Sequence, residues 1–286
     1  MTWTNYHTHT TFCDGIESPI QFAESAMKKG LKVLGFSSHA PVPFKTSWNL
    51  PVSQLPVYCK TINNLKGEFE DRLEILLGLE IDFIPGLIGP NKPYFNNIGL
   101  DYRIGSVHFI GQLNNGTYWE IDNRRTFIQG FHEIFDCNIK KLVKEYYHRV
   151  RLMIENDCPD IIGHFDVVKK NNGDNTYFTE DEEWYREEVY KTLKVLANSS
   201  AILELNTNGI AKGILKAPYP SEWIIERCYD LNIPVMINSD AHKSDNLIFW
   251  FENAAALLLD IGYNKLRVLD KGGWRSCSFT TQGIDL

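Results

Sequence analysis

No apolar stretch in the sequence approaches the roughly 20 residues needed to span a bilayer. Its start, Met-Thr-Trp-Thr-Asn-Tyr-His, lacks the basic-then-apolar order of a signal peptide, so a cytoplasmic location without membrane contact is expected. His7 and His9, singled out below, lie so close to this start that cleavage of a targeting segment would remove them. Paired cysteines are missing too. Cys13, Cys59, Cys137, Cys158, Cys228 and Cys277 are scattered, with no CxxC pair and no short disulfide framework, which fits a reducing compartment in which most thiols are simply buried. Positive charge is in deficit, the formal net charge being −7. A sequence-independent grip on nucleic acid needs Lys and Arg to displace counterions from phosphates, so that partner is disfavoured, although a local basic pocket stays open. No Gly/Ser-rich or Pro-rich linker, internal repeat or low-complexity tract interrupts the chain. Residues 1–286 therefore read as a single domain, long enough for one large core. Nothing in the sequence signals an oligomeric state.

What the sequence does have is alternation. Short β-rich apolar runs at 3–9, 32–39, 73–82, 102–110, 160–165, 201–206 and 233–239 are each followed by a longer polar segment. Helical spacing is expected at 18–29, 53–70, 137–156, 181–199, 221–231 and 246–261. Ser18 with Pro19 starts the first helix and Gly30 stops it. Residues 84–97 and 111–130 read as long loops, and 265–280 as a strand or hairpin turning at Gly272-Gly273. Seven βα units are too many for a small open sheet. The expected fold is α/β, a single distorted (β/α)7 TIM-like barrel, with functional residues at the C-terminal ends of the strands.

Histidines and isolated acids fall at those ends: His7 and His9 on the first run, His39, Glu80, His108 and His164 on the next ones, Asp240 and His242 after the last. Residues i and i+2 of a strand face the same side, so both members of His7-x-His9 can point into one barrel mouth, and Asp240-x-His242 repeats the spacing. Polar residues accumulate wherever strands leave a core, but that explains Ser and Asn better than a selection for His. His132 and His148 fall in a loop and a helix and read as ordinary surface residues. Asp14, before Gly15, suits a turn as well as a ligand. Mixed imidazole and carboxylate donors suit Zn²⁺, Mn²⁺ or Fe²⁺. The set His7, His9, Asp14, His39, Glu80, His108, His164, Asp240 and His242 exceeds what one ion uses and fits two or three divalent ions, with Glu80 as a bridge. Paired ions ~3.5–4 Å apart lower the pKa of a shared water and neutralise charge on phosphoryl oxygens.

The segments His7-Thr8-His9, Ser38-His39, Gly78-Leu79-Glu80, Ser106-Val107-His108, Gly163-His164-Phe165-Asp166 and Ser239-Asp240-Ala241-His242 resemble the signature motifs of the polymerase-and-histidinol-phosphatase (PHP) superfamily, in order and over nearly the whole chain. Within it, Gly105 to Phe109, Gly163 to Lys170, Leu205-Asn206-Thr207 and Pro218-Tyr219-Pro220-Ser221 are most similar to the histidinol-phosphate phosphatases. The resemblance implies a distorted (β/α)7 barrel with a trinuclear centre. His7, His9, Glu80 and Asp240 would hold one ion, Glu80, His108 and His164 a second, and Asp14, His39 and His242 the third. It also implies hydrolysis of a small phosphate monoester, L-histidinol phosphate, in histidine biosynthesis. A metal-bound acid or histidine, such as Asp240 or His242, is the candidate for protonating the leaving alkoxide.

Where relatives place an arginine before a lysine, this chain has Ala211 before Lys212. Lys212, Lys169, Asn206 and Arg103 are the candidate substrate contacts, and each cation is also plausible as a solvated surface charge. Two other readings stay open: a phosphodiesterase or 3′→5′ exonuclease on the same scaffold, and a barrel that keeps its ions for structure and acts as a scaffold or regulator.

Overall fold

The computed structural model describes residues 1–286. Strand β1 (Trp3–Asn5) leads into α1 (Pro19–Lys28), β2 (Leu31–Phe36) into α2 (Leu55–Phe69), and β3 (Glu74–Asp82) into the single turn α3 (Pro93–Asn96). After β4 (Tyr102–Ser106) come a hairpin of β5 (Phe109–Gln112) and β6 (Tyr118–Glu120), then α4 (Phe127–Glu133) and α5 (Ile139–Asn156). The chain continues through β7 (Ile161–Ile162), α6 (Glu183–Ala197), β8 (Ile202–Asn206), α7 (Asn208–Ala211), α8 (Glu222–Asp230), β9 (Val235–Asn238) and α9 (Phe251–Ile261). It ends in β10 (Lys265–Asp270), β11 (Gly273–Thr280) and β12 (Gly283–Ile284).

Seven strands form one sheet in the order β1-β2-β3-β4-β7-β8-β9, every neighbouring pair parallel. β9 meets β1 only beyond their C-terminal ends: Thr8 bridges to Ala241, the His9 N–H donates to the Ala241 carbonyl at 2.9 Å, and the Ala241 N–H donates to the His7 carbonyl at 3.2 Å. The result is the expected (β/α)7 barrel, nearly closed, and the closing contact runs through the His-x-His segment itself.

Local chemistry explains the elements. Gln21 accepts from the Ser18 N–H at 2.9 Å at the start of α1, and Gly30, at φ +73°, ends it, as its capping residues foretell. In α5 the buried residues Leu142, Val143, Tyr146, Tyr147, Val150, Met153 and Ile154 recur at helical spacing, so one stripe packs on the sheet while Lys140, Lys144 and His148 stay exposed.

The barrel lumen is apolar at its N-terminal end. Tyr6, Val33, Leu76, Tyr102, Ile104, Ile161, Ile202, Met236 and Leu269 form a cluster separate from the core under the helices. The Tyr102 ring lies where Gly35 and Gly78 leave room, since an added Cβ would stand 2.3 Å from its hydroxyl oxygen at the first and 2.4 Å from its Cζ at the second. The Tyr6 hydroxyl donates to the Leu269 carbonyl at 2.9 Å and accepts from its N–H at 3.0 Å, pinning the β10–β11 hairpin over this end. Polar side chains have only the opposite end left to them.

Three expectations need correction. The barrel strands are shorter than the apolar runs, so the histidines stand just past strand ends, where backbone freed from the ladder can turn ligands inward. Residues 111–130 are not a plain loop: Asn115-Gly116 closes the β5–β6 hairpin, with Gly116 at φ +83°, a turn signal that the dipeptide carries in the sequence, and α4 begins within the same stretch. The cysteines are all free, but only Cys228 and Cys277 are buried and Cys137 is exposed. No helix is long and apolar enough to cross a membrane.

Candidate metal centre

Glu80, near the end of β3 and 1% exposed, is the hub. Its Oε2 lies 3.3 Å from His7 Nε2, 3.5 Å from His9 Nε2 and 2.7 Å from His39 Nδ1, and its Oε1 lies 2.9 Å from His164 Nε2 and 3.6 Å from His108 Nε2. Five imidazoles from four chain segments thus meet one carboxylate. The strand register delivers this: His39 bridges to Glu80 between the second and third strands, and Ser106, at the end of β4, donates to Glu80 Oε1 at 2.6 Å. Asp240 closes the ring from the β9 side, its Oδ1 3.2 Å from His9 Nε2 and 3.8 Å from His7 Nε2.

Three groups of donor atoms are close enough to share an ion: His9, Asp14, His39 and His242; His7, His9 and Asp240; and His39, Glu80 and His108. Eight of the nine candidate ligands fall in these groups, His9 and His39 each in two of them, and the ninth, His164, joins through Glu80 Oε1 at 2.9 Å. Asp14 is the outermost, about a third exposed, with His242 Nε2 at 3.2 Å and His39 Nε2 at 3.6 Å. The turn reading of Asp14 and the ligand reading are compatible in this geometry.

The donors fit metal ions on two grounds. His7 Nε2 and His9 Nε2 are buried with no hydrogen-bond partner, and His39 Nδ1 and Glu80 Oε2 face only one another closely, at 2.7 Å, an expensive state for polar atoms unless something binds them. In addition, His164 and Asp240 hold left-handed backbone at φ 21° and 49°, the kind of local strain that proteins keep at functional sites. The electrostatics agree. Burial opposes charge on His7, but Glu204, Asp240 and Glu80 outweigh it and raise its pKa well above the usual value. Burial likewise opposes the His108 cation, yet Asp82 at 2.9 Å pushes its pKa up to about 10. His9, buried and beside His39 and His242, is driven down to about 3. Glu80 and Asp240 are lowered well below the carboxylate range despite burial, mainly by His39 and His7 for the first and by His7 and His9 for the second.

In front of the cluster lies a cavity of about 230 Å³. Trp48, Glu120, Asp122, Asn123, Lys170, Lys212 and Tyr219 line it together with Asp14, His39, His108, His164, Asp240 and His242. Of the four candidate substrate contacts only Lys212 reaches this wall. Lys169 is buried elsewhere, its ammonium donating to Asp166 at 2.7 Å and to the Pro218 carbonyl at 3.0 Å. Arg103 donates to Asn96 at 3.2 Å, away from the cavity. Asn206 is buried below the cluster and donates to Glu204 at 2.8 Å. The cation facing the cavity beside Lys212 is Lys170, paired with Asp122 at 2.6 Å. The neighbours Lys169 and Lys170 both lie in a 3-10 turn over Val167–Asn171, which aims them in different directions and which the sequence does not announce. His132 and His148 are exposed and remote from the cluster.

Two carboxylates not picked out from the sequence underlie the ligands. Asp82 holds His108 Nδ1, and Glu204, fully buried, lies 2.9 Å from His7 Nδ1. The available signal was an acid at an inward position of an otherwise apolar strand: Asp82 two residues after Glu80, and Glu204 two before Asn206.

Comparison with known proteins follows the same lines. The PHP domain profile matches residues 5–208. A Deinococcus radiodurans protein named "Probable histidinol-phosphatase" is 30% identical over 259 residues, 90% of this chain and 92% of that one. The histidinol-phosphatase of Bacillus subtilis is 27% identical over 263 residues, 86% of this chain and 96% of its own. A solved structure of histidinol phosphate phosphatase from Lactococcus lactis, complexed with Zn, L-histidinol and phosphate, has a TM-score of 0.73 at 22% identity, covering 100% of this chain and 99% of that one. At that identity the likeness speaks to the fold.

Proposed function

Since the chain belongs to the PHP domain family, we propose that it is a metal-dependent phosphatase that hydrolyses L-histidinol phosphate to L-histidinol and phosphate in histidine biosynthesis. The observation that carries this is the convergence of unpartnered, buried imidazole and carboxylate atoms on Glu80 at the floor of a small cavity. Relatives spanning most of the chain bear the name histidinol-phosphatase, and the Lactococcus lactis structure of the same fold contains Zn together with L-histidinol and phosphate.

Two or three divalent ions, Zn²⁺, Mn²⁺ or Fe²⁺, would be held by His7, His9, Glu80 and Asp240, by Glu80, His108 and His164, and by Asp14, His39 and His242. When bound, such ions supply Lewis acidity toward phosphoryl oxygens and a water of lowered pKa. The protein's own groups do the rest. Lys170 and Lys212 give the ester's dianion positive charge on the cavity wall. Glu120 and Asp122 offer acceptors for the ammonium and imidazole of an amino alcohol, which a cavity of about 230 Å³ accommodates and a polynucleotide would not. His242 donates from Nδ1 to the Asp240 carbonyl at 2.9 Å. That bond orients its Nε2 toward Asp14 and the cavity, so His242 and Asp240 would border the departing alkoxide and orient the water that gives it a proton. The whole chain acts as one domain in this scheme.

The test is turnover of the metal-loaded protein on L-histidinol phosphate against a panel of other monoesters, aromatic diesters and oligonucleotides. A kcat/KM for histidinol phosphate at least a hundred-fold above the rest is expected. A preference for diesters or oligonucleotides would shift the reading to the phosphodiesterase or exonuclease, and no turnover with full metal content would favour a scaffold.

A further inference from the structure

Glu204 belongs to none of the three donor groups, yet its two oxygens are the most heavily engaged acceptors beneath them. They receive His7 Nδ1 at 2.9 and 3.0 Å, the backbone N–H of His164 at 2.8 Å, and the side-chain amides of Asn206 at 2.8 Å and Asn238 at 2.9 Å. His7 and His164 stand on opposite sides of Glu80, one associated with Asp240 and the other with His108. We propose that Glu204 is a positioning residue that sets the tautomer of His7 and the backbone of His164, and so holds the two sides of the metal centre in register. The inference rests on the metal-centre reading above and is independent of which phosphate ester is hydrolysed.

In the neutral form that ligation requires, an imidazole has one proton, and a carboxylate against Nδ1 keeps that proton on Nδ1. The Nε2 lone pair then faces outward, and His7 Nε2 is a fully buried atom with no hydrogen-bond partner, aimed between Glu80 Oε2 at 3.3 Å and Asp240 Oδ1 at 3.8 Å. On the other side, β7 is only two residues long, so the sheet ladder does not restrain His164. Its left-handed backbone instead ties its N–H to Glu204 Oε1. A lone buried carboxylate is costly without donors, and here every close donor to it is either one of these two candidate ligands or an amide that braces the same oxygens.

Glu204→Gln keeps the shape but replaces one acceptor with a donor. A donor facing His7 Nδ1 moves the ring proton to Nε2, where it blocks the lone pair. With Zn²⁺ alone as the probe, in competition with a chelator, the variant is expected to lose ~10–100-fold in affinity for at least one equivalent, while the metal-free protein keeps its helical circular dichroism. In a His7→Gln background the same substitution should cost less than in the wild type, because part of its route is already gone. Zn²⁺ affinity unchanged in Glu204→Gln, with only the Tm lowered, overturns the proposal in favour of a purely structural carboxylate. So does a full, undiminished loss in the His7→Gln background. Should the Gln variant not fold, Glu204→Asp, which keeps the charge but withdraws the oxygens, should show a loss of the same kind, and wild-type affinity there overturns the proposal. A wild-type protein that binds no Zn²⁺ would defeat the metal-centre reading itself, whereas a binding wild type with an indifferent variant defeats only the role of Glu204.

Discussion

Loading the centre with metal should release protons, and the structure sets how many. In the metal-free protein burial disfavours charge on His7 and His108, but the carboxylates around them win: His7 is raised well above its ordinary pKa by Glu204, Asp240 and Glu80, and His108 is pushed up to about 10 by Asp82. Both rings are therefore held in their protonated form at neutral pH, and His39 is raised as well, by Glu80 against its burial. His9, driven down to about 3, holds none. Ligation needs the free nitrogen lone pair, so at least two protons must leave. Each displaced proton is worth ~1.4 kcal/mol per pH unit, so the overall loading constant should rise with pH from about 7, ~10-fold per unit for each ring still protonated, with the part due to His108 flattening as pH passes about 10. Calorimetric titration with Zn²⁺ in buffers of different ionisation enthalpy reads the number directly. Asp82→Asn removes the partner that raises His108 and should lower the count by about one near pH 7.5. A pH-independent affinity with no buffer-dependent heat over this range would refute the argument. The same values bear on the metal-free fold. The raised His108 contributes stability that is fully present below ~6.5 and lost as pH rises through about 10, while the lowered Glu80 contributes above ~4.3 and loses its contribution on acidification.

Asp14→Asn should remove about one equivalent of bound metal and impair turnover more than it lowers Tm, by metal analysis and thermal unfolding. A change confined to Tm would leave Asp14 as a turn residue. Lys212→Ala should reduce kcat/KM for histidinol phosphate by roughly ten- to a hundred-fold, one charge-assisted contact of ~1.5–3 kcal/mol, with metal content unchanged and a smaller loss on an aromatic diester. Gly78→Ala forces a Cβ to within 2.4 Å of the Tyr102 ring and should destabilise the fold by ~1–3 kcal/mol in denaturant titrations, whereas Gly67→Ala on α2, with open space at its Cβ, should not.

The barrel and the candidate ligands were legible in the sequence, because both are written in local patterns. Apolar runs alternating with helical segments specify parallel βα units, and histidines at the ends of those runs can meet only if the strands share one rim. Tertiary structure decided what depends on direction rather than spacing. Lys169 and Lys170 are adjacent in the chain, yet one is buried against Asp166 and the other faces the cavity, because the 3-10 turn that contains them rotates successive side chains apart. Arg103 and Asn206 sit on barrel strands at heights that put them away from the cavity. Asp82 and Glu204 carry only a weak signal, an acid two residues from another polar strand position, and the lumen-facing pleat is what puts them under His108 and His7. The sharing of His9 and His39 between donor groups has the same origin, since a pair of ring nitrogens can serve two ions only when three-dimensional closure brings Glu80, Asp14 and Asp240 around them.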